Sequence, residues 1–342
     1  MSPTTNLRRA PAARQRRSQP RQGLRRPLHR IPAAALLWIV AGITGGGQAA
    51  AAGDDTGREG YAGTAVCAGC HEAEAEAWQG SHHDLAMQKP SAETVLGDFD
   101  NARFEHFDSV TVFSTRDGEY FVDTEGPDGE RREFKVAWVF GVEPLQQYLL
   151  PLDDGRLQAL SVAWDSRPAQ VGGQRWYHLY PDEAIAHDDP LHWTGPYQNW
   201  NGRCAECHST DLRKNYDRDS RSYATDFFEE DVGCEACHGP GRRHVQLAEG
   251  GALKNSDAAG FPVSLAARGT WVFPKADRAA PAAAIARRSE PLAGRSQIDT
   301  CARCHARRGT LGAYRHGQPL SDTHRLALLD APLYYPDGQI LD

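Results

Sequence analysis

The sequence is poor in methionine, with two residues, and has no cysteine outside one repeated pattern. Its leading apolar run, residues 31–44 (IPAAALLWIVAGIT), is 14 long and short of the ~20 residues that a spanning helix needs, so a multi-span membrane protein is excluded. Positive charge is also short once the leader is set aside. The first 53 residues hold nine arginines and no acid, and removing them from the 38 basic residues leaves 29 against 45 acids, a net −16. Such an acidic body repels phosphate backbones and anionic lipid, which excludes nucleic acid as a partner and favours basic docking partners.

Residues 1–30 are basic and rich in Pro and Gln, the apolar run follows, and GGGQAAAAG comes next. This is the layout of a secretory signal, with small residues at Ala50 and Ala52 before a cut near Gly53. The expectation is an exported, periplasmic protein, with membrane contact only if the leader stays on as an anchor.

All eight cysteines fall into four copies of one pattern: Cys67-Ala-Gly-Cys70-His71, Cys204-Ala-Glu-Cys207-His208, Cys234-Glu-Ala-Cys237-His238 and Cys301-Ala-Arg-Cys304-His305. Disulfides, zinc sites and covalent haem compete for such cysteines. Disulfides give no reason for a His after each pair, and four three-ligand sets do not tile into closed zinc sites. Haem accounts for every position. Two thiols three residues apart share one face of a helical turn and can add across the vinyl groups on one porphyrin edge. The following His is then carried over the ring centre, where its neutral imidazole binds iron. Four covalent c-type haems are expected, with His71, His208, His238 and His305 as proximal ligands.

The scarcity of methionine now matters. Met1 goes with the leader, so only Met87 could act as an axial thioether, and the set should be mainly bis-His or open. Nine further histidines remain in the body: His82, His83, His106, His178, His187, His192, His244, His316 and His324. His83 follows a probable turn at Gly80, and His244 follows the helix-stopping Gly239-Pro240-Gly241, so these two lead the candidates for distal ligands. His178, His192 and His324 come next, and His106 ranks low because it sits in a strand-like stretch. A distal ligand need not serve the haem nearest to it in sequence.

The spacing divides the chain into a signal peptide (1–53), a first haem segment (54–100), an antiparallel β insert (101–175), a di-haem segment (176–245), an Ala/Pro-rich loop region (246–297) and a truncated fourth haem segment (298–342). From Phe104 to Trp164, aromatic and β-branched runs alternate with turn signals at Asp117-Gly118, Pro127-Asp128-Gly129 and Asp153-Asp154-Gly155, which predicts four or five strands in a meander. The expected fold is mainly α, with little regular structure around covalent haems and a small β insert on one side.

The run from Gly63-Thr-Ala-Val-Cys67 through Trp78, Ser81, His83, Ala86 and Met87, together with Cys204-Ala-Glu-Cys207-His208-Ser-Thr and Cys234-Glu-Ala-Cys237-His238-Gly-Pro-Gly followed by His244, resembles the multihaem cytochromes c. The resemblance is to the group around the tetrahaem electron-transfer cytochrome of ammonia oxidation, often joined to tetratricopeptide repeats. It implies haems in closely stacked pairs, mostly bis-His ligation, and distal roles for His83 and His244. It also implies a further haem motif and a helical repeat region downstream, so this chain is expected to be a fragment.

Electron transfer is the expected function, with redox proteins such as a quinol oxidase or other cytochromes as partners. The alternative is a multihaem oxidoreductase acting on a small nitrogen or sulfur oxyanion at one open-site haem. No motif ends in Lys, which weighs against the pentahaem nitrite reductases. A third reading is a haem-bearing module that docks within a larger complex.

Overall fold

The computed structural model describes residues 58, 60–265, 269–272, 287–291, 294–330, 333–335 and 340. The leader expected at 1–53 lies outside them, as does much of the Ala/Pro-rich stretch.

The stretch between the first two haem motifs folds as strands, because its β-branched and aromatic residues alternate in the way a pleated, half-buried surface requires. The strands are β1 (Met87–Gln88), β2 (Ala102–His106), β3 (Ser109–Arg116), β4 (Glu119–Glu125), β5 (Arg131–Lys135), β6 (Trp138–Phe140), β7 (Leu145–Pro151), β8 (Leu157–Ala159), β9 (Val162–Asp165) and β10 (Arg175–His178). Strands β2 to β5 form an antiparallel sheet in sequence order. Its β3–β4 turn puts Asp117 and Gly118 at φ of 53° and 78°, the left-handed pair that suits the strand twist. The other six make a second antiparallel sheet in the order β1-β6-β7-β9-β10, with β8 also paired to β7.

The run REFKVAWVF reads as one strand but belongs to two sheets. Val136 N–H donates to Tyr120 O of the first sheet, and Ala137 N–H donates to Leu149 O of the second. The chain crosses over between these two residues, and the sheets share a buried core as a result.

Strand alternation in the second sheet then sorts its side chains. Tyr148 and Leu150 join Phe99, Phe113, Val122, Trp164 and Trp176 in the core between the sheets. Phe113 and Trp176 stack there at 3.5 Å between ring centres. Leu149 points the other way and packs with Met87, Trp138, Phe140, Ala159, Trp200 and Ala205, beside Cys204. One face of the sheet therefore closes a sandwich, and the opposite face seats the second haem motif. Burying each of these large side chains contributes roughly 1.5–3 kcal/mol.

The described residues also form six α-helices: α1 (Thr64–Ala68), α2 (Glu72–Trp78), α3 (Trp200–Arg203), α4 (Cys234–His238), α5 (Arg242–Glu249) and α6 (Ser296–His305). The expectation of a mainly α chain is wrong, since helix makes up 22% and strand 27%. A haem motif needs only one helical turn, so the helices that carry motifs stay short, from four residues in α3 to ten in α6. The long gap between the first two motifs, by contrast, has room for both sheets. Among the described residues no helix is long and apolar enough to cross a membrane.

Candidate haem-binding site

Each motif is held by a single turn. In the first, Cys70 N–H and His71 N–H both donate to Cys67 O, at 3.1 and 3.0 Å. In the second, Cys207 N–H donates to Cys204 O at 3.0 Å and His208 N–H donates to Ala205 O at 3.2 Å. None of the eight cysteines is in a disulfide.

The third turn ends abruptly at Gly239, whose φ of +75° favours glycine and whose missing Cβ leaves room for Pro262 and His316. That stop reverses the chain into α5 and brings His244 round to His71, with ring centres 6.0 Å apart. A second pair forms across an even longer span: His83 faces the His305 ring edge-on, at 6.1 Å between ring centres.

Two imidazoles on opposite sides of one metal ion, with metal–nitrogen bonds of about 2.0 Å, have ring centres about 6 Å apart. Both pairs fit a haem iron by this measure. The protonation state fits as well. Burial, with help from His305 and His82, holds His83 below the usual imidazole range and so in the neutral, ligating form. His244 Nδ1 donates to Ala259 O at 2.9 Å and His208 Nδ1 donates to Ala86 O at 2.8 Å, which leaves Nε2 of each ring as the metal-facing nitrogen.

The other three distal candidates lie elsewhere. His178 ends β10 and stacks on His106 of β2 at 3.9 Å and 13°. Its Nδ1 accepts from Tyr180 N–H at 3.1 Å. His192 Nδ1 accepts from Thr194 Oγ1 at 2.8 Å. His106, His178 and His192 line a cavity of about 30 Å³ inside the sandwich, together with Thr111, Thr124 and Ser161. Burial pushes both His178 and His192 down to about 4, with His106 adding to the first and His187 to the second.

His324 has both ring nitrogens engaged. Its Nε2 donates to Glu206 at 3.1 Å and its Nδ1 accepts from Thr323 at 2.9 Å, so in this arrangement it cannot also offer a nitrogen to iron. His316 lies against Gly239, and its buried Nδ1 has no hydrogen-bond partner among the described residues.

The motifs are also clamped to one another, through residues that no spacing rule singles out. Glu235, between the cysteines of the third motif, accepts from the N–H groups of Ala62 (2.9 Å), Gly63 (2.7 Å) and Gly241 (2.6 Å), which ties the entry to the first motif onto the third. Glu229 accepts from Thr64 N–H at 2.7 Å, and Cys234 N–H donates to Thr64 Oγ1 at 3.2 Å. As a result α1, which carries Cys67, packs against α4, which begins at Cys234.

The second and fourth motifs meet in the same way. Glu206, between the cysteines of the second, lies 3.2 Å from Arg308 and 3.9 Å from Arg303, the latter between the cysteines of the fourth. Arg308 also donates to Cys207 Sγ at 3.6 Å. Arg303 also donates to Glu206 O at 3.2 Å and to Ala236 O at 3.5 Å, so it touches three motifs at once. A charged residue among the small residues between the cysteines is the only sequence sign of these clamps.

The profile of the family described as cytochrome c554 and c-prime matches residues 66–102 and 183–239. Over those residues the chain is similar to this family of c-type cytochromes. The matched residues hold the first three motifs and His83, and they pass over 103–182, where nearly all of β2 and all of β3 to β10 lie. Among solved structures, that of the outer cell wall cytochrome OcwA is similar to this chain at 16% identity and a TM-score of 0.47, over 82% of this chain and 48% of that one. A search of curated proteins finds no match.

Proposed function

We propose that the chain carries four haems, one on each Cys-x-x-Cys-His, and relays single electrons between them outside the cytoplasm. Haem, when bound, supplies a reversible one-electron change at its iron. The protein's part is to hold the four groups at contact distance. The observation that carries this reading is the meeting of the motifs whose thiols would carry the porphyrins: α1 of the first packs on α4 of the third, and Glu206 of the second meets Arg303 and Arg308 beside the fourth. Each of these thiols is an attachment point on a porphyrin edge, so neighbouring edges would lie side by side. Arg303 of the fourth motif donates to Ala236 O of the third at 3.5 Å, which links the two pairs. The resulting order is first, third, fourth, second, which is not the order in the sequence.

His71 with His244 and His83 with His305 would bind two of the irons from both sides, which favours rapid electron exchange over substrate binding at those haems. Each pair joins segments far apart in the chain, so loading the haems and fixing the fold would go together. Export is supported by the basic and apolar leader and by the covalent attachment chemistry, which takes place outside the cytoplasm. The acidic body would dock to a basic face of its redox partner, a quinol oxidase or another cytochrome. Mass spectrometry of the purified holo-protein tests the count. The expected result is the mass of four haems, and a mass short of four would overturn it.

A further inference from the structure

We propose that buried fixed charges bias this relay, drawing electrons from the pair formed by the first and third motifs toward the pair formed by the second and fourth. The inference rests on the relay reading above and adds a direction to it.

At the first pair the buried charge is negative. Glu235 is 1% exposed, and its carboxylate meets backbone N–H groups of Ala62, Gly63 and Gly241. Such dipoles satisfy its hydrogen bonds but bring no opposite full charge. Two cations are nearby: Arg242 donates to Tyr61 O at 2.7 Å and is exposed to screening by water, and Arg303 reaches Ala236 O at 3.5 Å from its place beside Glu206 of the second motif.

At the second pair the balance is positive. Two guanidiniums, Arg303 and Arg308, converge on the single carboxylate of Glu206. Arg303 is 7% exposed and lies over the Tyr314 ring at 4.7 Å, sealed from solvent. His324 contributes no charge, because burial holds it below the usual imidazole range. Asp299 in the same helix is buried and faces the exposed Arg295 at 3.7 Å, so its carboxylate offsets part of this positive charge and leaves the second pair less negative than the first.

Buried charges act through a low dielectric and are weakly screened by salt. A reduced haem iron holds one more electron than an oxidised one, so a nearby buried anion disfavours reduction and a nearby buried cation favours it. Haems on the first and third motifs would therefore give up electrons to those on the second and fourth.

The test is a potentiometric titration of the holo-protein followed by visible absorption, with haem content measured by mass spectrometry. Glu235→Gln should raise the low-potential part of the curve. Arg303→Gln should lower the high-potential part, and Arg303→Lys, which keeps the charge, should restore it. The expected shift is about tenfold in the ratio of reduced to oxidised haem at a given potential, about 59 mV for one electron. If Arg303→Gln loads haem poorly, Glu206→Gln, which should raise the high-potential part, replaces it. Fully loaded charge variants that titrate like the wild type, or that shift in the directions opposite to these, would overturn the bias. A wild-type protein that fails to reduce and reoxidise reversibly would instead sink the relay reading itself.

Discussion

His83 and His244 stand or fall as ligands by what happens when their imidazoles are removed. Replacing His244 with Ala takes away the ring 6.0 Å from His71, and replacing His83 with Ala takes away the ring 6.1 Å from His305. Each variant is expected to convert one haem per chain from low-spin to high-spin, read by electron paramagnetic resonance of the oxidised protein. An unchanged spectrum in either variant would remove that residue from the ligand set. His178→Ala should leave the haem spectrum as it is, since that ring stacks on His106 inside the sandwich.

His178 and His192 carry a pH dependence of a different kind. Both are held near 4 in the folded protein by burial, against an ordinary value of 6.5. The unfolded chain therefore binds protons between those limits that the folded chain refuses, so stability should fall as pH drops from about 6.5 toward 4. The unfolding midpoint measured across that range should slope downward on acidification, and His178→Gln should make the slope shallower. An equal slope in wild type and variant would contradict the assignment.

Elements differ in how much of them can be read from residue order alone. The haem motifs were legible because their chemistry is local: two thiols and an imidazole on one helical turn. The first sheet was legible for a similar reason, since its strands follow one another through short turns. The second sheet was not, because Val136 and Ala137 look like the middle of one strand and only tertiary pairing shows that each belongs to a different sheet. The clamps at Glu206 and Glu235 stayed hidden for the same reason, Glu235 reaching residues more than 170 positions away. Periodicity has no access to contacts at that range. It also could not tell which cavity would receive His178, His192 or His324, because a histidine beside aromatics fits a sandwich core as well as a porphyrin face.

The face shared by the second sheet and the second haem motif is the weak point at this scale. Trp200 is fully buried there among Met87, Leu149 and Phe227. Trp200→Ala is expected to cost about 3–5 kcal/mol, seen as a lower midpoint in denaturant unfolding with little change in slope. Gly155 makes a sharper test of the same region. Its φ is +77°, and a Cβ would collide with Tyr223 O, so Gly155→Ala should destabilise both β7–β8 and the loop that Tyr223 anchors.

For the whole molecule, the β sandwich seats the second haem motif on its outer face, while buried carboxylates and guanidiniums join the motifs to one another. In the proposed relay these contacts between motifs would set how closely the redox groups approach. The central claim is that the chain takes up one electron per motif and gives it back. The most direct measurement is a coulometric reduction and reoxidation of the purified holo-protein, with absorption recorded at each step. The account predicts four electrons per chain in both directions along superimposable curves. Fewer than four, or a step that is reversed only when nitrite, hydroxylamine or another small oxidant is added, would contradict it.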